Sequence, residues 1–337
     1  MQVLVTGSNG FIGSNLTKLL VNEGHHVKAM VLKGTDISNL ENVSCDIIYA
    51  DITKPEMLEG ILNGVEVVFH LAAIPSLAWG NFIFNVNYFG TKNLLEEAIR
   101  SKVRRFVFMS SLVVHGFKDF ENANEETPLL KPGFFTRPYI ASKIKCEELL
   151  TSYKNKIETV IIRPGFNIYG PYDRMTSKEM LDRLSQKKLM GYVNKGDSRL
   201  GFVYAENLVN GLQCAGVSEN AAGNTYVIAD YEPSFLLLKD LLIRFSKELS
   251  IQPKLSSVPS FIFMPIAFLI DAFYFTFLRN KMPLISTYIV NTSSHHLYFS
   301  SEKAQKEIGY KQQVSYAEGI KKTVQWYLQE IKQPYKL

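Results

Sequence analysis

VLVTGSNGFIG, residues 3–13, joins an apolar, β-branched run to three glycines, Gly7, Gly10 and Gly13, spaced three apart, and then to an amphipathic stretch. The run predicts a strand over residues 2–6, the glycines a tight turn, and the stretch a helix over residues 11–23 ending at the C-cap glycine Gly24. Glycine permits positive φ in such a turn, lets the backbone approach a pyrophosphate, and allows a helix to pack closely on a strand. The helix start aims free N–H groups and the positive end of its dipole at the same anion. A glycine-rich turn without a ligand is the bland alternative, and the regular spacing directly after the first strand weighs against it.

Outward from this turn, short β-branched runs alternate with helical patterns. Strands are predicted over residues 27–32, 65–70, 105–109 and 158–162, and helices over 55–62, 87–100 and 139–153. Such alternation implies βαβ units, right-handed crossovers and a parallel sheet. The predicted class is α/β, a Rossmann doubly wound parallel sheet with a smaller, mostly helical C-terminal substrate region. Residues 1–164 are expected to form the NAD(P)-binding domain, with 196–230 returning to it, while 165–195 and 231–330 interleave as the substrate-binding region. In that half GFNIYGPYD (165–173) reads as a loop, 178–188 as a charged helix, FVYAENLVNGLQCA (202–215) as a strand end feeding a helix, and TYVIAD (225–230) as one more sheet strand. From about Pro233 the chain reads as helical and unusually apolar.

The 337 residues are 46% hydrophobic and 20% charged, globular values that set aside disorder. A net charge of +5 suits an anionic cofactor or a membrane surface, and no Lys/Arg block suggests nucleic acid. Cys45, Cys146 and Cys214 are far apart, odd in number and outside any metal-ligand spacing; they read as reduced thiols in a cytoplasmic location, with no metal site. MQVLVTGSNG runs straight from an apolar strand into glycines and is not read as a secretory signal.

A dinucleotide site of this kind often has an acid at the end of its second strand to hold the ribose 2′-OH. Here VKAMVLKG (27–34) ends in Lys33 with no acid. A 2′-phosphate is the better match, so NADP is favoured with NAD still open; a solvated loop lysine is the competing reading. In YIASK (139–143), Tyr139 and Lys143 share one helix face. A phenol near pKa 10 is too weak an acid for ready proton exchange at neutral pH, and a nearby ammonium favours the phenolate. Tyr139 is therefore expected to be unusually acidic.

In this order and spacing the motifs resemble an extended short-chain dehydrogenase/reductase of the NAD-dependent epimerase/dehydratase superfamily, from residue 1 to about 330. TGSNGFIG (6–13) is similar to the family's phosphate loop, Asp51 in YADIT to its adenine-contacting acid, and HLAA (70–73) to the segment passing under the cofactor. Asn87 in NVNYFGT, MSSLVVHG (109–116) and IIRPGFNIYGP (161–171) resemble the asparagine before a Gly-Thr pair, the serine strand, and the loop after the sixth strand. With Lys33, the resemblance implies cofactor contacts from Gly7, Gly10, Phe11, Ile12, Gly13, Asp51, Ile52, Leu71, Ala72, Ala73, Asn87, Ser110, Tyr139, Lys143 and Pro164. It implies catalysis by Ser111, which orients the substrate oxygen, Lys143, which holds the nicotinamide ribose, and Tyr139, which exchanges the oxygen's proton as hydride moves. Asp51 as a turn residue and Asn87 as a helix cap are the plainer readings. His70 reads as a satisfied strand-end histidine, and His115, where many relatives have tyrosine, is given no chemistry.

The C-terminal half is similar to the 3β-hydroxysteroid dehydrogenase-like branch. VPSFIFMPIAFLIDAFYFTFL (258–278) offers no cation for a nucleotide-sugar diphosphate until Arg279 and Lys281, and HLYFSSEKAQKEIGY (296–310) also fits that branch. The expected reaction interconverts alcohol and ketone on a small, largely apolar substrate that is sterol-, flavonoid- or β-keto-acid-like. A nucleotide-sugar 4-epimerase with tightly bound NAD is the alternative, kept open by Asn167. Dehydratases carry an Asp-Glu pair where this chain has Leu112 and Val113, and a non-catalytic redox sensor generally lacks the Tyr139 or Lys143 equivalent. Length makes 258–278 a candidate span. Pro265 and Asp271 favour an apolar lid and core, or a segment dipping into a membrane surface. A homodimer through the Asn87 and Tyr139 helices is expected by analogy.

Overall fold

The computed structural model describes residues 1–231 and 237–332. Its central sheet has seven strands: β1 (Gln2–Thr6), β2 (His26–Val31), β3 (Asp46–Tyr49), β4 (Val67–His70), β5 (Arg105–Met109), β6 (Glu158–Pro164) and β7 (Thr225–Ile228). All pairings are parallel, in the order β7-β6-β5-β4-β1-β2-β3. The order reverses between β1 and β4, so the chain leaves these neighbours toward opposite edges and opens a crevice beyond their C-terminal ends.

A parallel sheet covered by helices buries both faces, which explains the near-continuous apolar strands. Alternation sorts β1 cleanly. Val3 and Val5 pack with Val67, Phe69, Leu16 and Leu208 on one side, under helices Phe11–Asn22 and Ala205–Val217. Leu4 packs with Val68, Phe106, Leu94 and Leu150 on the other, under helices Gly90–Arg100 and Pro138–Tyr153.

The second region is built on three short parallel pairs: Leu189–Val193 with Lys254–Val258 within it, and Asn167–Tyr169 with Phe202–Tyr204 and Phe120–Ala123 with Leu297–Phe299 joining it to the first. Helices Ser177–Ser185, Leu238–Glu248, Ser260–Phe277, Thr287–Ser294, Glu302–Ile308 and Tyr316–Lys332 complete it.

Several expectations are corrected. Residues 55–62 form a single 3-10 turn, Pro55–Met57, rather than a helix, because Gly60 and Gly64 adopt φ of +72° and +76° and turn the chain away. Asn87 does not begin its helix. The helical path starts at Asn81–Phe84, passes through a π-helical turn at Asn85–Phe89 and continues as Gly90–Arg100. Asn167–Tyr169, read as loop, is a strand. Strand β3 was not foreseen, being short and bordered by polar residues. Pro233 lies outside the described residues.

Candidate active site

Gly7 has φ +68°, and a Cβ there would stand 3.0 Å from Ala72 Cα in the segment after β4. A Cβ on Gly13 would lie 2.0 Å from the Gly7 carbonyl oxygen, so the helix start rests directly on the turn. The helix N-cap is Gly10, which has no side chain with which to cap the first N–H groups. Those of Phe11, Ile12 and Gly13 remain for an anion, and a pyrophosphate fits this cradle.

Lys33 is exposed in the turn after β2. Asn9 ties that turn to the glycine loop, its Nδ2 donating to Thr35 Oγ1 (3.0 Å) and to the Asp36 carbonyl (2.8 Å). Asp36 accepts from Ser38 N and from Arg174 Nη1, each at 2.9 Å; mainly the Ser38 hydrogen bonds hold its carboxyl below the usual range. Arg174, distant in sequence, thus brings a second cation to this corner, and nothing in its local motif announced it. Asp51 Oδ1 accepts from Thr53 N (2.9 Å) and Thr53 Oγ1 (2.7 Å), an Asx turn that engages one carboxylate oxygen. Ile52 is buried beside it.

The crevice floor is a continuous polar chain. Thr6 Oγ1 accepts from Leu71 N (3.2 Å) and Ala72 N (3.1 Å) and donates to His70 Nδ1 (2.8 Å). His70 Nε2 then donates to Thr91 Oγ1 (2.9 Å), and Thr91 to the Asn87 carbonyl (2.6 Å), an order of donors that assigns the Nε2–H tautomer. Burial pulls His70 down to about 3, so it stays neutral, as a structural histidine should. The Asn87 amide accepts from Ile74 N (2.8 Å) and donates to Ser142 Oγ (3.1 Å), which donates to the Tyr139 carbonyl (2.7 Å). Asn87 is a brace between floor and helix, neither cap nor loose contact. Ala73 sits between these anchored residues, and Pro164 ends β6 in the buried wall.

Ser111 lies where β5 ends and a 3-10 turn, Leu112–His115, begins. Its hydroxyl accepts from Val113 N (3.4 Å) and lies close enough to the Tyr139 phenol to favour the phenolate. Lys143, one helical turn on, donates from Nζ to the Met109 carbonyl (2.7 Å). The neighbouring Ser110 donates to Glu147 Oε1 at 2.5 Å, and Glu147 also takes Arg163 Nε (3.0 Å) and Nη2 (2.6 Å). Arg163 Nη1 donates to His115 Nε2 (3.2 Å), leaving His115 Nδ1–H for the Pro128 carbonyl (3.1 Å). Burial lowers His115 to about 4, and its ring stacks on Phe299 at 4.9 Å, so His115 is structural.

The expectation of an acidic Tyr139 is overturned. Burial pushes the phenol up to about 12, opposed only in part by the Ser111 hydroxyl. Burial also lowers Lys143 to about 8. The ammonium is spent on the Met109 carbonyl, and its distance to the Tyr139 ring centroid is 5.9 Å. Tyr288, which the sequence reading did not single out, shares the apolar cluster of Tyr139 with Phe117, Leu129, Leu130 and Phe166. Its phenol is raised chiefly by burial and next by Tyr139.

Arg137, just ahead of the Tyr139 helix, forms a buried ion pair with Asp271 (2.6 Å) on the apolar helix Ser260–Phe277. It also donates to the Leu77 carbonyl and stacks over Trp79, 4.5 Å from the ring centroid. Asp271 Oδ2 accepts from Thr287 N (2.9 Å) and Oγ1 (2.6 Å). The apolar helix is therefore fastened to the start of the Tyr139 helix. Among the described residues it is the one helix long and apolar enough to cross a membrane. No His/Cys/Asp/Glu cluster suited to a metal occurs among the described residues.

Comparison with known proteins identifies the family. Residues 4–260 match the 3-beta hydroxysteroid dehydrogenase/isomerase family. The chain is 28% identical to 3beta-hydroxysteroid-dehydrogenase/decarboxylase isoform 1 of Arabidopsis thaliana, over 95% of this chain and 78% of that protein. It is 27% identical to the mouse sterol-4-alpha-carboxylate 3-dehydrogenase, decarboxylating, over 95% and 89%. The fold is shared with UDP-glucuronic acid 4-epimerase from Bacillus cereus, solved with UDP-glucuronic acid and NAD (TM-score 0.77, 23% identity, 98% of this chain and 99% of that one). The protein thus belongs to the 3-beta hydroxysteroid dehydrogenase/isomerase family, within the extended short-chain dehydrogenases/reductases, and is a nicotinamide-dependent oxidoreductase.

Proposed function

We propose that the protein interconverts a secondary alcohol and a ketone on a largely apolar, sterol-like substrate, with NADP as the preferred cofactor and Tyr139 as the proton donor and acceptor. The observation that carries this reading is the placement of Ser111 beside the Tyr139 phenol, with Lys143 one turn on and the glycine turn linked to the same helix through Ala72, Ile74 and Asn87. Gly7, Gly10, Phe11, Ile12 and Gly13 would hold the pyrophosphate, Asp51 and Ile52 the adenine, Lys33 a 2′-phosphate, and Lys143 the nicotinamide ribose. When bound, the nicotinamide supplies or accepts hydride.

In the reducing direction Tyr139 gives its phenolic proton to the substrate oxygen, which Ser111 orients. A phenol kept protonated up to about 12 is in the correct form for that step across the neutral range. Around Tyr139 the side chains of Phe117, Phe166, Leu129, Leu130 and Tyr288 supply apolar surface for a hydrophobic skeleton and little to bind a diphosphate. The sterol-directed names of the two relatives support the same substrate class.

Purified protein supplied with NADPH and a panel of hydrophobic ketones should consume NADPH. Tyr139→Phe should lower kcat by about 10²–10⁴-fold while cofactor binding survives. An unchanged rate would remove Tyr139 from the chemistry. Turnover of a UDP-sugar by protein carrying tightly bound NAD, with no ketone reduction, would establish the 4-epimerase alternative instead.

A further inference from the structure

We propose that helix Ser260–Phe277 and the Phe134–Phe135 loop form one surface that docks, without spanning, onto an anionic lipid bilayer. At about 100° per residue, Phe261, Ile262, Ile266, Leu269, Phe273 and Phe277 fall on one half of the helix, and all are exposed. Phe261, Leu269 and Phe277 are 76%, 69% and 70% exposed, values that suit no packed core. Ala267 and Asp271 on the opposite half are buried. The polar side chain on the exposed half, Thr276, donates its hydroxyl to the Ala272 carbonyl (2.8 Å), the arrangement a group facing hydrocarbon requires. The apolar surface continues sideways. Phe134 and Phe135 are exposed and pack on Phe275 with centroids 5.4 and 5.2 Å away, and Met282 and Leu284 are exposed beyond the helix end. Contiguous apolar exposure of this kind marks an interaction surface.

Charge selects lipid as the occupant. Lys131, Arg279 and Lys281 border the patch in exposed positions, and Asp271, the one acid between residues 254 and 284, is buried. An aromatic centre with a cationic border suits the interface of an anionic membrane. The chain path fixes the helix in the plane of that interface. The strand before it, Lys254–Val258, pairs with Leu189–Val193, and the strand after it, Leu297–Phe299, pairs with Phe120–Ala123, so both flanks return to the same body. A span would also pull the Arg137–Asp271 pair into hydrocarbon. Because Arg137 directly precedes the Tyr139 helix, docking sets the substrate cleft at the lipid surface, where an apolar substrate resides.

The test is flotation of the full chain with vesicles of phosphatidylcholine alone or with one-third phosphatidylglycerol. The protein should float with the anionic vesicles at least tenfold more than with neutral ones, and alkaline carbonate should release it. Phe261→Ser/Leu269→Ser/Phe277→Ser should reduce flotation at least tenfold while cofactor binding and melting temperature are kept. Arg279→Gln/Lys281→Gln should reduce the preference for anionic vesicles. Four results would overturn the proposal: no flotation of the native chain, equal flotation of the triple variant, retention through carbonate, or a lipid-free dimer that the triple variant converts to monomer. None of these bears on NADPH consumption, so the redox reading is judged separately.

Discussion

Replacing Asp271 with leucine tests how the apolar helix is held. The two side chains of the Arg137–Asp271 pair are 4% and 6% exposed, and Asp271 also serves Thr287 N and Oγ1. Burial lowers the Arg137 pKa despite the carboxylate beside it, a sign of costly desolvation, yet a guanidinium does not shed its proton. Removing one partner of a buried pair costs about 3–5 kcal/mol, because the other is left charged and unpaired. For 337 residues the unfolding entropy is about 0.7 kcal/mol per degree, so Asp271→Leu should lower Tm by about 4–7 °C. Arg137→Met/Asp271→Leu should recover most of that loss, leaving about 1–2 kcal/mol for the Thr287 hydrogen bonds. Thermal and urea melts of the four proteins give the coupling by a double-mutant cycle, expected at about 4 kcal/mol or more because each single variant strands a buried charge that the double variant does not. A coupling under about 0.5 kcal/mol would refute the view that this pair fastens the helix.

Three further outcomes are expected. Gly13→Ala sets a Cβ 2.0 Å from a backbone oxygen, so nucleotide affinity measured by titration should fall at least tenfold, and unchanged affinity would contradict the close approach. Lys143 is lowered to about 8, so its charge fades as pH rises through that value; alcohol oxidation should show an apparent pKa near 8 that Lys143→Arg abolishes, and identical profiles would exclude it. His70 is held at about 3 against a usual 6.5, so the stability it contributes is complete above 6.5 and lost as pH falls toward 3, by about 1.4 kcal/mol per unit; His70→Asn should flatten urea stability between pH 6 and 4, and an unaltered slope would argue against a neutral His70.

Local chemistry was legible and long-range pairing was not. The strand, turn and helix around Gly7–Gly13 followed from spacing because φ and close approach leave so few residue choices. The i,i+4 relation of Tyr139 and Lys143 likewise follows from helix geometry. Residues 55–62 misled because their apolar pattern is helical while Gly60 and Gly64 decide the backbone. The phenol's acidity was misjudged because the burial that raises it comes from side chains of other elements, and the carbonyl that takes Lys143 belongs to Met109 on strand β5. Arg137 and Asp271 lie 134 residues apart, and no local pattern could pair them; Tyr288 enters the Tyr139 cluster by the same kind of tertiary accident.

The split between the buried Thr6–His70–Thr91–Asn87 chain and the exposed turn at Lys33 has a practical meaning. In the proposed binding mode the buried, fully hydrogen-bonded part would face the nicotinamide and tolerate little editing, whereas the exposed Lys33 would face the adenosine from the surface. Coenzyme preference would then be an adjustable trait in this scaffold, open to redesign at Lys33 without disturbing the buried residues around Tyr139.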